Sequence, residues 1–175
     1  MIGVKSTLAD IAFIVCSALD RVSITAVLTG GSAATYYAPD AYQSRDLDFV
    51  LAVHAAGGAA ELRKLGFTES GQVYRHPDTH FTIDFPHGPL AVGGELITSW
   101  RTDRRAGELL HVLTPTDCVR DRLASFLFWN DFSGLEQALA VARTQRRKLE
   151  LAKVEGWCRK EGHPGKFELF KSRLR

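Results

Sequence analysis

The chain has 175 residues, of which 45% are hydrophobic and 24% charged, with a formal net charge of +2. That balance fits one compact unit with a real core, in two lobes, and excludes a disordered, collagen-like or strongly polycationic chain. Three cysteines, Cys16, Cys118 and Cys158, are odd in number and without Cys-x-x-Cys spacing, so free thiols in a reducing cytoplasm are expected rather than a disulfide framework or zinc knuckle.

Residues 7 to 20 carry Leu8, Ile11, Ala12, Val15 and Leu19 at helical spacing, which predicts a packed amphipathic helix. Asp10 interrupts the apolar stretch and no small-residue cleavage site stands out, so an export signal is not expected, and no membrane span is present. Ala26-Val27-Leu28-Thr29 reads as a short buried strand that runs into Gly30-Gly31-Ser32. A helix is expected to follow over residues 33 to 37. The helix N-terminus then offers backbone N–H groups to an anion, and the glycines let backbone approach a phosphate closely. Ser32 is suited either to cap the helix or to donate its hydroxyl to a phosphate oxygen. By itself a Gly-Gly-Ser turn is as compatible with a tight connection.

The next strand, SRDLDFVLAV, holds Asp46 and Asp48 one residue apart. Residues two apart on a strand share a face. Both carboxylates therefore project together while Leu47, Phe49, Leu51 and Val53 fill the other side. Two acids that close repel unless a cation lies between them, and hard Mg2+, or Mn2+ in its place, completed by phosphate oxygens of a nucleoside triphosphate (NTP), would neutralise both. A helix is expected over 59 to 65, and a hairpin between Val73-Tyr74 and Phe81-Ile83. In HFTIDFP, Phe81, Ile83 and Phe85 alternate with Thr82 and Asp84. Asp84 on the polar face is thus positioned to complete a carboxylate triad if the two strands pair, or else is a solvated acid before Pro86. His76 and His80 are four apart, but Pro77 lies between them, so a zinc pair on a helix is excluded.

From about residue 112 the pattern turns helical, over 115–129, 134–145, 149–161 and 165–174. The whole reads as α+β: a small mixed β-sheet with flanking helices, followed by a C-terminal helical bundle, with substrate expected in the cleft between lobes. Basic residues concentrate late, at Arg101, Arg104 and Arg105, at Arg143, Arg146, Arg147 and Lys148, and at Lys166, Lys171, Arg173 and Arg175. Such runs serve either as solvated helix faces or as a rim for RNA phosphates, with Trp129 or Trp157 stacking on bases if exposed.

The order Gly-Gly-Ser, Asp-x-Asp, later Asp, at Gly30, Gly31, Ser32, Asp46, Asp48 and Asp84, resembles the polymerase-beta-like nucleotidyltransferase superfamily. Within it, SRDLDF is similar to the Ser/Thr-x-Asp-Leu-Asp-Phe element of AbiEii-type and MenT-like toxin nucleotidyltransferases, with Ser44 at the hydroxyl position. Those families usually carry Arg two residues before that hydroxyl, where this chain has Tyr42. Their inward helical Lys and following Asp match Arg122 and Asp131 here. Arg122 reads equally as a triphosphate ligand or a surface salt-bridge residue, and Asp131 as a site acid or a cap before Gly134. The resemblance implies a nucleotidyltransferase core over 1–112 and a helical lobe over 113–175. It implies transfer of an NMP from an NTP to an acceptor hydroxyl, with Asp46, Asp48 and Asp84 holding Mg2+ and Gly30, Gly31, Ser32, Ser44 and Arg122 holding nucleotide. The acceptor it implies is RNA, a tRNA 3′ end, in a toxin with a cognate antitoxin. Small-molecule or protein nucleotidylation, and a non-catalytic nucleotide-binding protein of the same fold, are the rival readings.

Overall fold

A computed structural model describes residues 2–174, so Arg175 of the basic tail lies outside the described residues. Helix α1 (Leu8–Asp20) opens with a reciprocal cap: the Thr7 hydroxyl accepts from the Asp10 N–H, and the Asp10 carboxylate accepts from the Thr7 N–H. Asp10, the residue that breaks the apolar run, is therefore the one that starts the helix. Strand β1 (Thr25–Thr29) leads directly into α2 (Gly30–Tyr37). The helix begins at Gly30 rather than at residue 33, because Gly30 takes φ +64 and so turns the chain without a loop.

Strand β2 (Asp46–Val53) is followed by α3 (Gly58–Lys64), the short strands β3 (Thr68–Ser70), β4 (Val73–Arg75) and β5 (Thr82–Asp84), a small separate hairpin of β6 (Ala91–Val92) and β7 (Glu95–Leu96), and the hairpin β8 (Arg101–Arg105) and β9 (Glu108–Val112). Seven strands form one mixed sheet in the order β3-β4-β5-β2-β1-β9-β8. The expected hairpin is present as the antiparallel pair β4–β5, and β5 lies parallel to β2. Helices α4 (Pro115–Trp129), α5 (Phe132–Thr144), α6 (Leu151–Lys160) and α7 (Pro164–Leu174) complete the chain.

The sheet is buried along one side by Leu28, Leu47, Phe49, Ile83, Leu110 and Val112, each fully or almost fully enclosed. Side-chain register shows which side the helices cover. Tyr36 of α2 donates a 2.6 Å hydrogen bond to Asp103, whose partner Leu110 is two residues from Val112, and Val112 lies in the row of Leu28 and Phe49. Thus α2 packs on the Phe49 side, and the alternate residues Asp46, Asp48 and Val50 face the other way. The helices that follow β9 are tied to the β6–β7 hairpin by an ion network around one buried arginine. Arg120, 1% exposed, pairs with Asp117 and Glu95, and Lys160 pairs with Glu95 from outside. Among the described residues the three cysteines are free and buried, and no helix is long and apolar enough to cross a membrane.

Candidate active site

Parallel pairing of β2 with β5 sets Asp46 opposite Thr82 and Asp48 opposite Asp84, while β1 sets Thr29 opposite Asp48. Asp46, Asp48, Thr82 and Asp84 therefore form one patch on the side of the sheet away from α2. The arrangement differs from a ready-made cage. Among the described residues no three His, Cys, Asp or Glu side chains converge as a metal set, and Asp46 turns Oδ1 to accept from the Thr82 hydroxyl. Mutual repulsion of the carboxylates favours that turn.

Asp48 carries the electrostatic signature of the site. Burial pushes its carboxyl up to about 6 from 3.8; Arg122 opposes the shift, and Asp84, Asp46 and Asp121 add to it. Burial of this charge, with Asp46 and Asp84 on the same patch, is an electrostatic cost that a hard divalent cation would offset, its remaining ligands coming from phosphate and water.

The Gly-Gly-Ser segment is packed against this acid. A Cβ on Gly30 would lie 2.6 Å from Asp48 Oδ2, and the residue has positive φ, so only glycine fits. A Cβ on Gly31 would lie 3.3 Å from the Tyr42 hydroxyl. Tyr42, the departure from the resembling families, thus covers the head of α2. Ser32 is fully buried, donates to the Thr29 carbonyl at 2.7 Å and accepts from the Asp48 N–H at 3.1 Å. Its hydroxyl is committed to holding β2 against α2, not free for a phosphate. Ser44 is committed likewise: its hydroxyl donates to the Asp46 carbonyl at 2.9 Å and accepts from the Asp46 N–H at 3.3 Å, and its N–H donates to Thr35 Oγ1 at 2.8 Å. Both serines fix the acids in place through main chain.

From α4, Arg122 reaches the same region. Its guanidinium donates to Asp121 at 2.7 and 3.0 Å and to Gln137 of α5 at 3.4 Å. Burial works against its charge, but the Asp121 carboxylate, the buried Cys118 and the field of Asp48 hold its pKa above the ordinary value. The α4–α5 approach depends on Gly134, where a Cβ would lie 2.6 Å from the Arg122 carbonyl. Asp131 is exposed and caps α5, accepting from the Ser133 N–H at 2.9 Å. Of its two readings from sequence, the cap is the one the geometry accounts for. Thr82, Asp121 and Gln137 were not singled out from the sequence. Thr82 was legible as the residue alternating with Asp84, whereas Gln137 needed the helix pairing. The two tryptophans diverge: Trp129 is 75% exposed and Trp157 is 3% exposed, which removes the latter as a stacking surface.

No protein-family model matches the chain, and no curated protein sequence matches it. Solved structures do. An antigenic nucleotidyltransferase-like protein from Paracoccidioides brasiliensis superposes with a TM-score of 0.58 at 16% identity, over 79% of this chain and 77% of that one. ANT(2")-Ia in complex with adenylyl-2"-tobramycin superposes with a TM-score of 0.52 at 16% identity, over 96% of this chain and 98% of that one. The solution structure of the antibiotic-resistance factor ANT(2'')-Ia gives 0.50 at 15% identity, over 85% and 90%. At these identities the likeness is one of fold.

Proposed function

We propose that this chain, which has the nucleotidyltransferase fold, transfers an NMP from an NTP to an acceptor hydroxyl. The observation that carries the reading is the packing of Gly30 onto the Asp48 carboxylate, which brings the head of α2 to the acid patch of Asp46, Asp48 and Asp84. In this reading the α2 N-terminus receives phosphate oxygens through backbone N–H groups. Asp46 and Asp48 would hold Mg2+, or Mn2+, which would supply charge neutralisation to the phosphates. Asp84 accepts the proton of the acceptor hydroxyl. The hydroxyl oxygen forms a bond to the α-phosphorus as the bond to the β-phosphate breaks, and pyrophosphate leaves with the electron pair while Arg122 offsets its charge. Ser32, Ser44 and Thr82 act by positioning the acids, and Asp131 by capping α5.

Two acceptor classes have support. An RNA 3′ end, as in a tRNA-directed toxin with a protein antitoxin, follows from the toxin-family resemblance and has exposed Trp129 as a stacking surface. A small-molecule acceptor is favoured by the fold neighbour solved with adenylyl-2"-tobramycin. Incubation with α-labelled NTPs, Mg2+, total RNA and a small-molecule pool distinguishes them by which fraction acquires label. Absence of label in every fraction, protein included, would support the non-catalytic nucleotide-binding alternative.

A further inference from the structure

After Asp84 the chain leaves the sheet beside β2 and returns as β8, beyond β2, β1 and β9. Register shows over which side it passes. Val50 lies opposite Val27, and Val27 opposite His111, so these three share the side of Asp48, two residues from it. Trp100 packs edge-on against His111 with ring centroids 6.0 Å apart, and Val27 on that side has no exposed surface. The crossover of residues 85–100 therefore covers the carboxylate side of the sheet, opposite α2.

A cavity of about 850 Å³ lies between this crossover and the far end of β2, with walls from Leu51, Ala52 and His54 and from Phe85, His87, Leu96, Ile97 and Trp100, the Phe85 ring also stacking on Phe49 of the other side. One wall starts at the residue after Asp84. A cavity of this size lies within the range that encloses small ligands. Its position relative to the phosphate cradle is informative. Because β1 and β2 are antiparallel, Gly30 lies at the Asp48 end of β2, whereas the cavity lies toward residues 51 to 54. In-line displacement puts the attacking oxygen opposite the leaving group, so with pyrophosphate at Gly30–Ser32 the acceptor enters from the cavity side.

The lining is equally informative. Among the described residues that line it there is no Lys, Arg, Asp or Glu. Along these walls a polycationic aminoglycoside would meet no carboxylate beyond the Asp84 base that precedes Phe85 and Glu69 in the adjoining cavity, and an RNA strand would meet no cation for its phosphates. Aromatic and aliphatic walls with two histidine rims suit an uncharged body that carries a hydroxyl. Resting on the nucleotidyl-transfer reading, we infer that this cavity is the acceptor pocket and that the acceptor is a neutral, partly aromatic, hydroxyl-bearing small molecule. The crossover is held over the pocket by the Glu95 pairs with Arg120 and Lys160.

The test uses 4-methylumbelliferyl glucoside, tobramycin and total RNA as alternative acceptors with α-labelled NTP and Mg2+. Label transfer to the aryl glucoside is expected, together with its binding by calorimetry. Ile97→Arg, which puts a charge into the apolar wall, is expected to weaken that binding by about tenfold or more, and Ile97→Leu to restore it. NTP affinity measured on the same variants reports whether they fold. Pyrophosphate release that depends on Asp46 and Asp48 but accompanies transfer only to tobramycin or RNA would overturn the pocket's assignment and leave the nucleotidyl-transfer reading standing. Aryl-glucoside binding that Ile97→Arg leaves unchanged would also overturn it. No pyrophosphate release with any acceptor would overturn the functional reading itself, and the acceptor assignment with it.

Discussion

Replacing Asp48 by Asn is expected to make the protein more stable and inactive. The native fold raises this carboxyl from 3.8 to about 6, chiefly by burying it. Two pKa units correspond to about 3 kcal/mol, and partial exposure reduces the usable part to on the order of 2 kcal/mol. The sign follows from proton binding: the folded state holds the Asp48 proton more tightly than the unfolded chain does. Its contribution is thus fully present below about pH 4 and is lost as pH rises through about 6. Asn keeps the side chain's volume, and the hydrogen bonds that Asp48 exchanges with Ser32 and Thr29 involve its main chain and survive. Urea unfolding of both proteins at pH 4 and pH 8, in the presence of a chelator, gives the comparison. At pH 8 the Asn variant should be more stable by on the order of 2 kcal/mol, a rise of roughly 4–8 °C in melting temperature for a chain of this length, and at pH 4 the two should converge. A variant no more stable than the wild type at pH 8 would show that Arg122 compensates the carboxylate fully, and the argument for a cation-demanding acid would fail.

Gly30→Ala forces a Cβ into the Asp48 carboxylate at a positive φ. It should cost about 1–3 kcal/mol in denaturant unfolding and abolish calorimetric binding of Mg2+–NTP; undiminished affinity would detach the glycine from the nucleotide site. Asp131→Ala should cost about 1 kcal/mol through loss of the α5 cap while leaving nucleotide binding and transfer intact, with Asp131→Ser recovering the stability. A loss of turnover that Ser does not restore would return Asp131 to the chemistry. Arg122→Lys removes the forked contact with Asp121 and should raise the KM for NTP by about tenfold, seen in pyrophosphate-release kinetics, with little change in melting temperature.

Local order was legible in the sequence where one period dominated. The alternation from Asp46 to Val53 and around Asp84 identified two strands of the sheet, and their parallel pairing, which sequence could only pose as a condition, is what sets Asp48 beside Asp84. The helix end at Asp131 was readable because capping is local chemistry, and the caps at Thr7 and Thr114 are of the same kind. Contacts between distant segments were not legible. Nothing in the local pattern around Arg120 shows that Glu95, 25 residues earlier, will pair with it inside the protein. Ser32 and Ser44 carry the residue type of a phosphate ligand, yet the approach of β2 to α2 commits both hydroxyls to main chain. The crossover that roofs the carboxylate side consists of very short strands and irregular chain, rich in Gly and Pro, with no periodicity to reveal where it lies.

The central claim is that the acid patch at the head of α2 activates an NTP. Pyrophosphate release from Mg2+–NTP, followed for the wild type and for the double variant Asp46→Ala, Asp48→Ala in the presence of the acceptor pools, tests it most directly. Release by the wild type that falls to background in a folded double variant is the predicted result. Release of equal rate from both proteins would contradict the account.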